Sequence, residues 1–183
     1  MTETDAPSPE IPFRLLDGAT PAGPQELLAR LEALGLESTT VEHAPVFTVE
    51  ESQALCGDLP GGHIKNLFLR NKKGRMWLVT CLEDQPVDLK ALTAKLEAGR
   101  LSFGSAQRLM DHLGIRPGSV TPFAVMNDPG GQVQMVLEKK VLEENPVNCH
   151  PLVNHMTTAL SPTALLQFLE AEGHPPLVID LEA

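Results

Sequence analysis

Nowhere in the 183 residues do about 18 apolar residues follow one another, and the opening "MTETDAPSPEIPF" has no basic stretch leading into an apolar one. Neither a membrane-spanning helix nor a secretion signal is expected, which points to a soluble, cytoplasmic protein with no membrane partner. Cysteine is scarce. Cys56, Cys81 and Cys149 are odd in number and widely spaced, which argues against a disulfide framework or a paired zinc clip and favours buried, reduced thiols. Positive charge is in deficit too, with 14 Lys and Arg against 24 Asp and Glu and a formal net charge of -10. Such a chain is a poor indiscriminate binder of phosphate backbones, so no DNA partner is expected.

Also missing are a P-loop, a GxGxxG turn behind a strand, an HExxH pair and a GxSxG elbow, so nucleotide hydrolysis, dinucleotide redox chemistry and zincin or serine-hydrolase chemistry lose their usual signatures. The six histidines are scattered, and only Cys149 and His150 are adjacent. Neighbours on a strand point to opposite faces, so that pair is a poor chelate. No metal and no organic cofactor are implied.

With 42% hydrophobic residues, the chain can bury one sizeable core. The simplest organisation is an extension over residues 1–20 followed by a single domain over 21–183, with a monomer as the default. "TPAGPQELLARLEALGL" has leucines at helical spacing and a glycine stop, and "TVEESQAL" opens with Thr48 three residues before Glu51, the pattern of a capping box. Between them "STTVEHAPVFT" reads as a strand that breaks at Pro45. "IKNLFLRNKKGRMWLVTCL" is two apolar runs around the turn residues "NKKG", a β-hairpin. "DLKALTAKLEAG", "SAQRLMDHLGI" and "SPTALLQFLEAEG" read as helices, while "SVTPFAVMND", "QVQMVLEKKV", "HPLVNHMTTALS" and "PPLVIDL" read as strands. Strands outnumber complete crossover units. The fold class is therefore α+β, with a mixed, largely antiparallel sheet packed by helices.

Residues 65 to 116 hold ten of the 14 basic residues and only five acids, a local excess of +5 (10 minus 5) in an acidic chain. Arg70, Lys72, Lys73 and Arg75 cluster at the hairpin turn, a reasonable place for backbone phosphate contacts; a solvated surface explains the same residues. Three segments join a turn to a strand and carry polar groups that a plain core strand does not need: "GGHIKN", "GIRPGSVTP" and "NCHPLVN". A lysine entering a buried strand at position 65 could hold an anionic or carbonyl group in a partly dry pocket. It could equally be an edge-strand lysine that blocks aggregation.

At these segments the sequence resembles the bacterial prolyl-tRNA editing superfamily, on Lys65 in "IKNLFL", on "GIRPGSVTPFA" and on "HPLVNHMTT". The likeness runs from the first helix to the last strand and is greatest to the free-standing alanyl-tRNA(Pro) deacylase branch. It implies an enzyme that hydrolyses the ester of alanine mischarged on proline tRNA, the acceptor end of aminoacylated tRNA(Pro) being its partner and prolyl-tRNA synthetase a further one. Sibling branches clear cysteine, serine or threonine by the same chemistry. A noncatalytic tRNA-binding module, or a small-molecule hydrolase using Cys81 or Cys149, are readings from other classes.

By position, Lys65 matches the family's functional lysine and is expected to fix a phosphate or the ester region. Gly118 and Pro122 match its GxxxP loop, "GSVTP" here, and His150 matches the histidine of "HPLVN". Asn66, His63, Ile64 and Phe123 complete the expected substrate contacts, although strand alternation sends Asn66 to the face opposite Lys65. Ile64, Phe68, Leu78, Val120, Phe123 and Met135 are available as apolar walls. No side chain of this set is an obvious general base, and the resemblance implies proton transfer through a ribose hydroxyl of the terminal adenosine and a bound water.

Overall fold

The computed structural model describes residues 10–56 and 58–182, with only the main chain of Cys56. The first nine residues of the expected extension and the thiol of Cys56 lie outside the described residues. Residues 10–20 are tied to the helix at Ala106–Leu113 and to the segment after it: Leu16 N–H donates to the Asp111 carbonyl at 2.9 Å and Arg116 donates to the Ile11 carbonyl at 2.9 Å.

Helix α1 (Pro24–Ala33) starts with proline where no N–H is required and buries Leu27 and Leu31. Strand β1 (Ser38–Glu42) leads to α2 (Val49–Cys56). Glu51 N–H donates to Thr48 Oγ1 at 3.1 Å, and the Glu51 carboxylate reaches back one residue further than in a capping box, to Phe47 N–H at 2.8 Å. No described side chain of α2 is buried. The expected hairpin is β2 (Gly62–Arg70) and β3 (Met76–Leu82), in register from Ile64 opposite Leu82 to Arg70 opposite Met76. Next come α3 (Leu89–Leu96), the two-residue β4 (Ser102–Phe103) and α4 (Ala106–Leu113), which ends in left-handed Gly114.

Three strand expectations are corrected. "SVTPFAVMND" forms a 3₁₀ helix over Pro122–Asn127, because Thr121 accepts a hydrogen bond from Phe123 N–H and Pro122 occupies the first turn. "QVQMVLEKKV" is a strand only over Val133–Glu138 (β5), and Lys139–Glu143 turns into a second 3₁₀ helix. "HPLVNHMTTALS" is a strand only from Met156: β6 (Val147–Cys149) and β7 (Met156–Leu160) are antiparallel partners, and residues 150–155 make the turn between them, with Leu152 at a φ of 69°. Helix α5 (Pro162–Ala171), capped by Ser161, and β8 (Leu177–Ile179) close the chain.

The sheet runs β1-β7-β6-β2-β3-β5-β8, with β4 also pairing β2. Its pairings are antiparallel for β1·β7, β6·β7, β2·β3 and β2·β4 and parallel for β2·β6, β3·β5 and β5·β8. Strand alternation sorts the core. Phe68, Met76, Leu78, Met135 and Leu137 face α1, α4 and α5, whereas Leu69, Trp77, Val79 and Val136 face α3 with Leu92 and Leu96. Helices thus cover both faces of the central strands, and the sheet has few solvated positions there.

Candidate active site

Gly61 and Gly62 exist because β2 must pass against the segment that leads into β6. A Cβ on Gly61, whose φ is +99°, would lie 2.0 Å from the Pro146 carbonyl oxygen, and one on Gly62 would lie 2.5 Å from Glu144 Cγ. Without them Gly62 N–H donates to the Pro146 carbonyl at 2.8 Å. Buried Asn148 fastens the same turn, donating to the carbonyls of Pro60 and Gly62 at 3.1 Å each.

On the edge away from β3, β2 pairs with β6 only at Gly62 and His63 and with β4 only at Leu69 and Arg70. Among the described residues, no strand lies alongside residues 64–68 between them on that edge. Glu83 N–H donates to the His63 carbonyl across β3, whereas Gly62 N–H and the Phe68 carbonyl bond on the opposite edge. Even-numbered residues of β2 therefore turn their main-chain groups outward, and the N–H and C=O of Asn66 point into the gap. Ile64, Lys65 and Asn66 all line one cavity although their side chains alternate between faces, because the cavity lies at this open edge. Its volume is about 210 Å³, and Gly118, Val120, His150, Glu83 and residues 46–49 and 52 form the rest of its wall.

Lys65, Gly118, His150, Asn66 and Ile64 are thus brought together from three segments distant in sequence. Asn66 does more than line the cavity. Its Nδ2 donates to the Val120 carbonyl at 3.0 Å and its Oδ1 accepts from Thr80 Oγ1 at 2.5 Å, so it ties the GSVTP loop to the hairpin. Gly118 has a φ of +90°, and a Cβ there would lie 3.3 Å from Phe47 Cδ1 and 3.5 Å from Asn154 Nδ2. The glycine lets the loop meet the opposite wall.

His150 Nδ1 lies 3.1 Å from the Met156 carbonyl, which can only accept, so Nδ1 carries the proton and Nε2 of the neutral ring keeps its lone pair. Burial pushes the imidazole below its ordinary 6.5; the Met156 hydrogen bond opposes this, and nearby His43 adds to the lowering. The two rings are 6.4 Å apart. His63 contacts the Leu59 carbonyl through Nε2 at 3.0 Å and lines a smaller adjoining cavity with Asn148 and His150. Glu83, on the wall, has its carboxyl pushed up by burial, an effect opposed by His63 and Lys65 and reinforced by Asp84.

Phe123 is fully buried and packs edge-on against Phe168 at 5.2 Å, and Pro122 is buried beside it. Neither lines the cavity. The 3₁₀ turn points them into the core, so they shape the loop from beneath. Phe68, Leu78 and Met135 are core as well. Lys72, Lys73 and Arg75 are exposed at the hairpin tip, Arg75 lying over the Trp77 ring at 5.0 Å, while Arg70 is half-buried with its Nε enclosed. Sequence reasoning missed the wall made by Val46, Phe47, Thr48, Val49 and Ser52, and Glu83 as well. The signal was a capped helix with no apolar stripe, preceded by a phenylalanine.

Among the described residues no cluster of three or more His, Cys, Asp or Glu could hold a metal, and no helix is long and apolar enough to cross a membrane. The aminoacyl-tRNA editing domain model matches residues 43–168, a span that holds every cavity residue named above. The chain belongs to the aminoacyl-tRNA editing domain family. Relatives include the prolyl-tRNA editing protein ProX of Acetoanaerobium sticklandii, 37% identical over 158 residues, which cover 86% of this chain and 96% of that one. Prolyl-tRNA synthetase associated domain-containing protein 1 of Danio rerio is 36% identical over 160 residues, covering 86% and 87%. A solved structure described as a candidate trans-editing enzyme for prolyl-tRNA synthetase shares the fold, with a TM-score of 0.64 over 89% of this chain and 98% of that one at 20% identity. This editing domain therefore sits within the prolyl-tRNA editing superfamily and is an enzyme, an aminoacyl-tRNA deacylase.

Proposed function

We propose that the protein acts in trans on proline tRNA mischarged with alanine, hydrolysing the ester to free alanine and intact tRNA(Pro). The observation that carries this reading is the meeting of Lys65, the outward main chain of Asn66, Gly118 and the neutral ring of His150 around one small cavity at a gap in the sheet. A volume of about 210 Å³ is below the roughly 300–1,000 Å³ of drug-sized sites. It suits a small aminoacyl group with part of its ribose. A synthetic site cannot reject by clash an amino acid smaller than its own, and missing methylenes are worth only about 1–3 kcal/mol, so a second hydrolytic site is the physical remedy.

In this reading Lys65 supplies a fixed positive charge beside the ester or the terminal phosphate. Asn66 N–H, turned outward at the edge of β2, faces the oxygen that gains charge as water adds to the ester carbon, and His150 Nε2 accepts a hydrogen bond from the substrate or the water. The water oxygen bonds to the carbonyl carbon, the bond from that carbon to the ribose oxygen breaks, and the water proton passes to the departing ribose oxygen through the neighbouring ribose hydroxyl. Orientation and electrostatic stabilisation carry the acceleration. Lys72, Lys73 and Arg75 guide the acceptor stem, with Arg70 behind them, and prolyl-tRNA synthetase is a partner that hands over mischarged tRNA.

The test is deacylation of proline tRNA charged separately with alanine, cysteine, serine and proline. Fast loss of alanine with proline spared is expected. Preference for cysteine or serine would move the substrate while keeping the mechanism, and binding without turnover of any ester would replace this reading by a noncatalytic tRNA-binding module.

A further inference from the structure

We infer that Phe47 is the platform on which the terminal adenine of the tRNA stacks while the aminoacyl ester occupies the cavity; this rests on the deacylase reading above. Phe47 is 68% exposed, yet its main chain is fixed on both sides. Val46 before it is 2% exposed and is bonded twice to Asn154, its N–H to the Asn154 carbonyl at 3.1 Å and its carbonyl to Asn154 Nδ2 at 2.9 Å. Phe47 N–H donates to the Glu51 carboxylate at 2.8 Å, and Thr48 caps α2. A large apolar ring is thus held in water by a backbone that cannot easily tuck it away.

The ring belongs to the wall that includes Lys65, Gly118 and His150. Its Cδ1 approaches the vacant Cβ side of Gly118, so one edge is seated against the loop and the rest stays open. A side chain that selects a small amino acid by size must enclose it, and a ring two-thirds exposed at the rim does not. In an aminoacylated tRNA the group attached to the same ribose as the ester is a flat base. Bases stack on exposed aromatic rings whatever their identity, which suits an end that all tRNAs share. The other exposed phenylalanines are placed differently: Phe13 lies beneath the Arg116 guanidinium at 5.9 Å, and Phe103 sits on β4 opposite Leu69, past the other end of the gap.

The experiment compares Phe47→Leu, which keeps the apolar bulk, with Phe47→Tyr, which keeps the aromatic face, and with Phe103→Leu as a control. In deacylation of alanyl-tRNA(Pro), Phe47→Leu should raise KM about tenfold or more with kcat nearly unchanged, while Phe47→Tyr restores KM. The same factor should apply to the seryl and cysteinyl esters, because the base is common to all. Phe47→Trp supplies a readout independent of turnover, since the native Trp77 is buried. Its emission should be quenched by tRNA carrying alanine through a hydrolysis-resistant amide, and not by tRNA shortened by its terminal nucleotide. A wild-type KM in Phe47→Leu, or an altered ratio among amino acids instead of a common factor, overturns the stacking role and leaves the deacylase reading standing. If the wild-type protein hydrolyses no aminoacyl ester, both fall together.

Discussion

Asn66 on β2 donates a 3.0 Å hydrogen bond from its side-chain amide to the carbonyl of Val120, 54 residues away, and this one contact fastens the GSVTP loop to the strand that carries Lys65. Thr80 Oγ1 holds the other end of the same amide at 2.5 Å. Asn66→Asp keeps an acceptor for Thr80 and removes the donor to Val120. It should destabilise the fold by about 1–3 kcal/mol, the cost of an orphaned carbonyl facing a carboxylate. Deacylation should fall further than the unfolded fraction explains, because the loop loses its register with Lys65. Urea unfolding and single-turnover hydrolysis on the same samples check both parts.

His150 makes stability depend on acidity in a stated direction. Burial holds its folded-state pKa below the ordinary 6.5, so well above pH 6.5 the ring is uncharged in both folded and unfolded chains and adds no pH dependence. As pH falls below about 6.5 the unfolded chain takes up the proton first, and stability declines until the folded ring titrates too. Replacing it by His150→Asn should flatten that part of the stability curve, as read by urea midpoints from pH 7.5 to 5.

Much of this cavity wall is legible in the sequence, and the parts that are not have physical causes. The hairpin and its turn were plain because two apolar runs flanked "NKKG", and Lys65 at its mouth followed from that register. "SVTPFAVMND" misled because a short apolar run has no period that separates a strand from a 3₁₀ turn, and Phe123 then moved from cavity to core. The wall at Val46, Phe47 and Ser52 was hidden for another reason. Its place is fixed by bonds from His43 and Val46 to His155 and Asn154, more than a hundred residues away, which local pattern does not encode.

Cys81 and Cys149 are both buried, free thiols. Burial pushes the Cys81 thiol up to about 12, with Lys65 opposing and Glu138 adding to it, and burial raises Cys149 further still. Almost no thiolate exists near neutral pH, so alkylation of the native protein should leave Cys81 and Cys149 unmodified by mass spectrometry and react with both in urea. Cys81→Ala should keep deacylase activity; loss of it would favour a thiol nucleophile.

At the hairpin tip, Lys72→Glu with Lys73→Glu should weaken tRNA binding strongly at low salt and less at high salt. Each lost phosphate contact should reduce the slope of log affinity against log salt by about 0.7–0.9. The cavity, at the other end of β2 some 17 Å away by strand rise, should keep its kcat. Equal binding by the variant at every salt concentration would remove this face from the docking path.

The central claim is that Lys65 at the open edge of β2 acts on the ester, and single-turnover deacylation of alanyl-tRNA(Pro) by Lys65→Ala tests it most directly. Loss of about 100-fold or more in rate, with an unchanged melting temperature, is the expected result. Retention of the wild-type rate in a folded Lys65→Ala protein would contradict it.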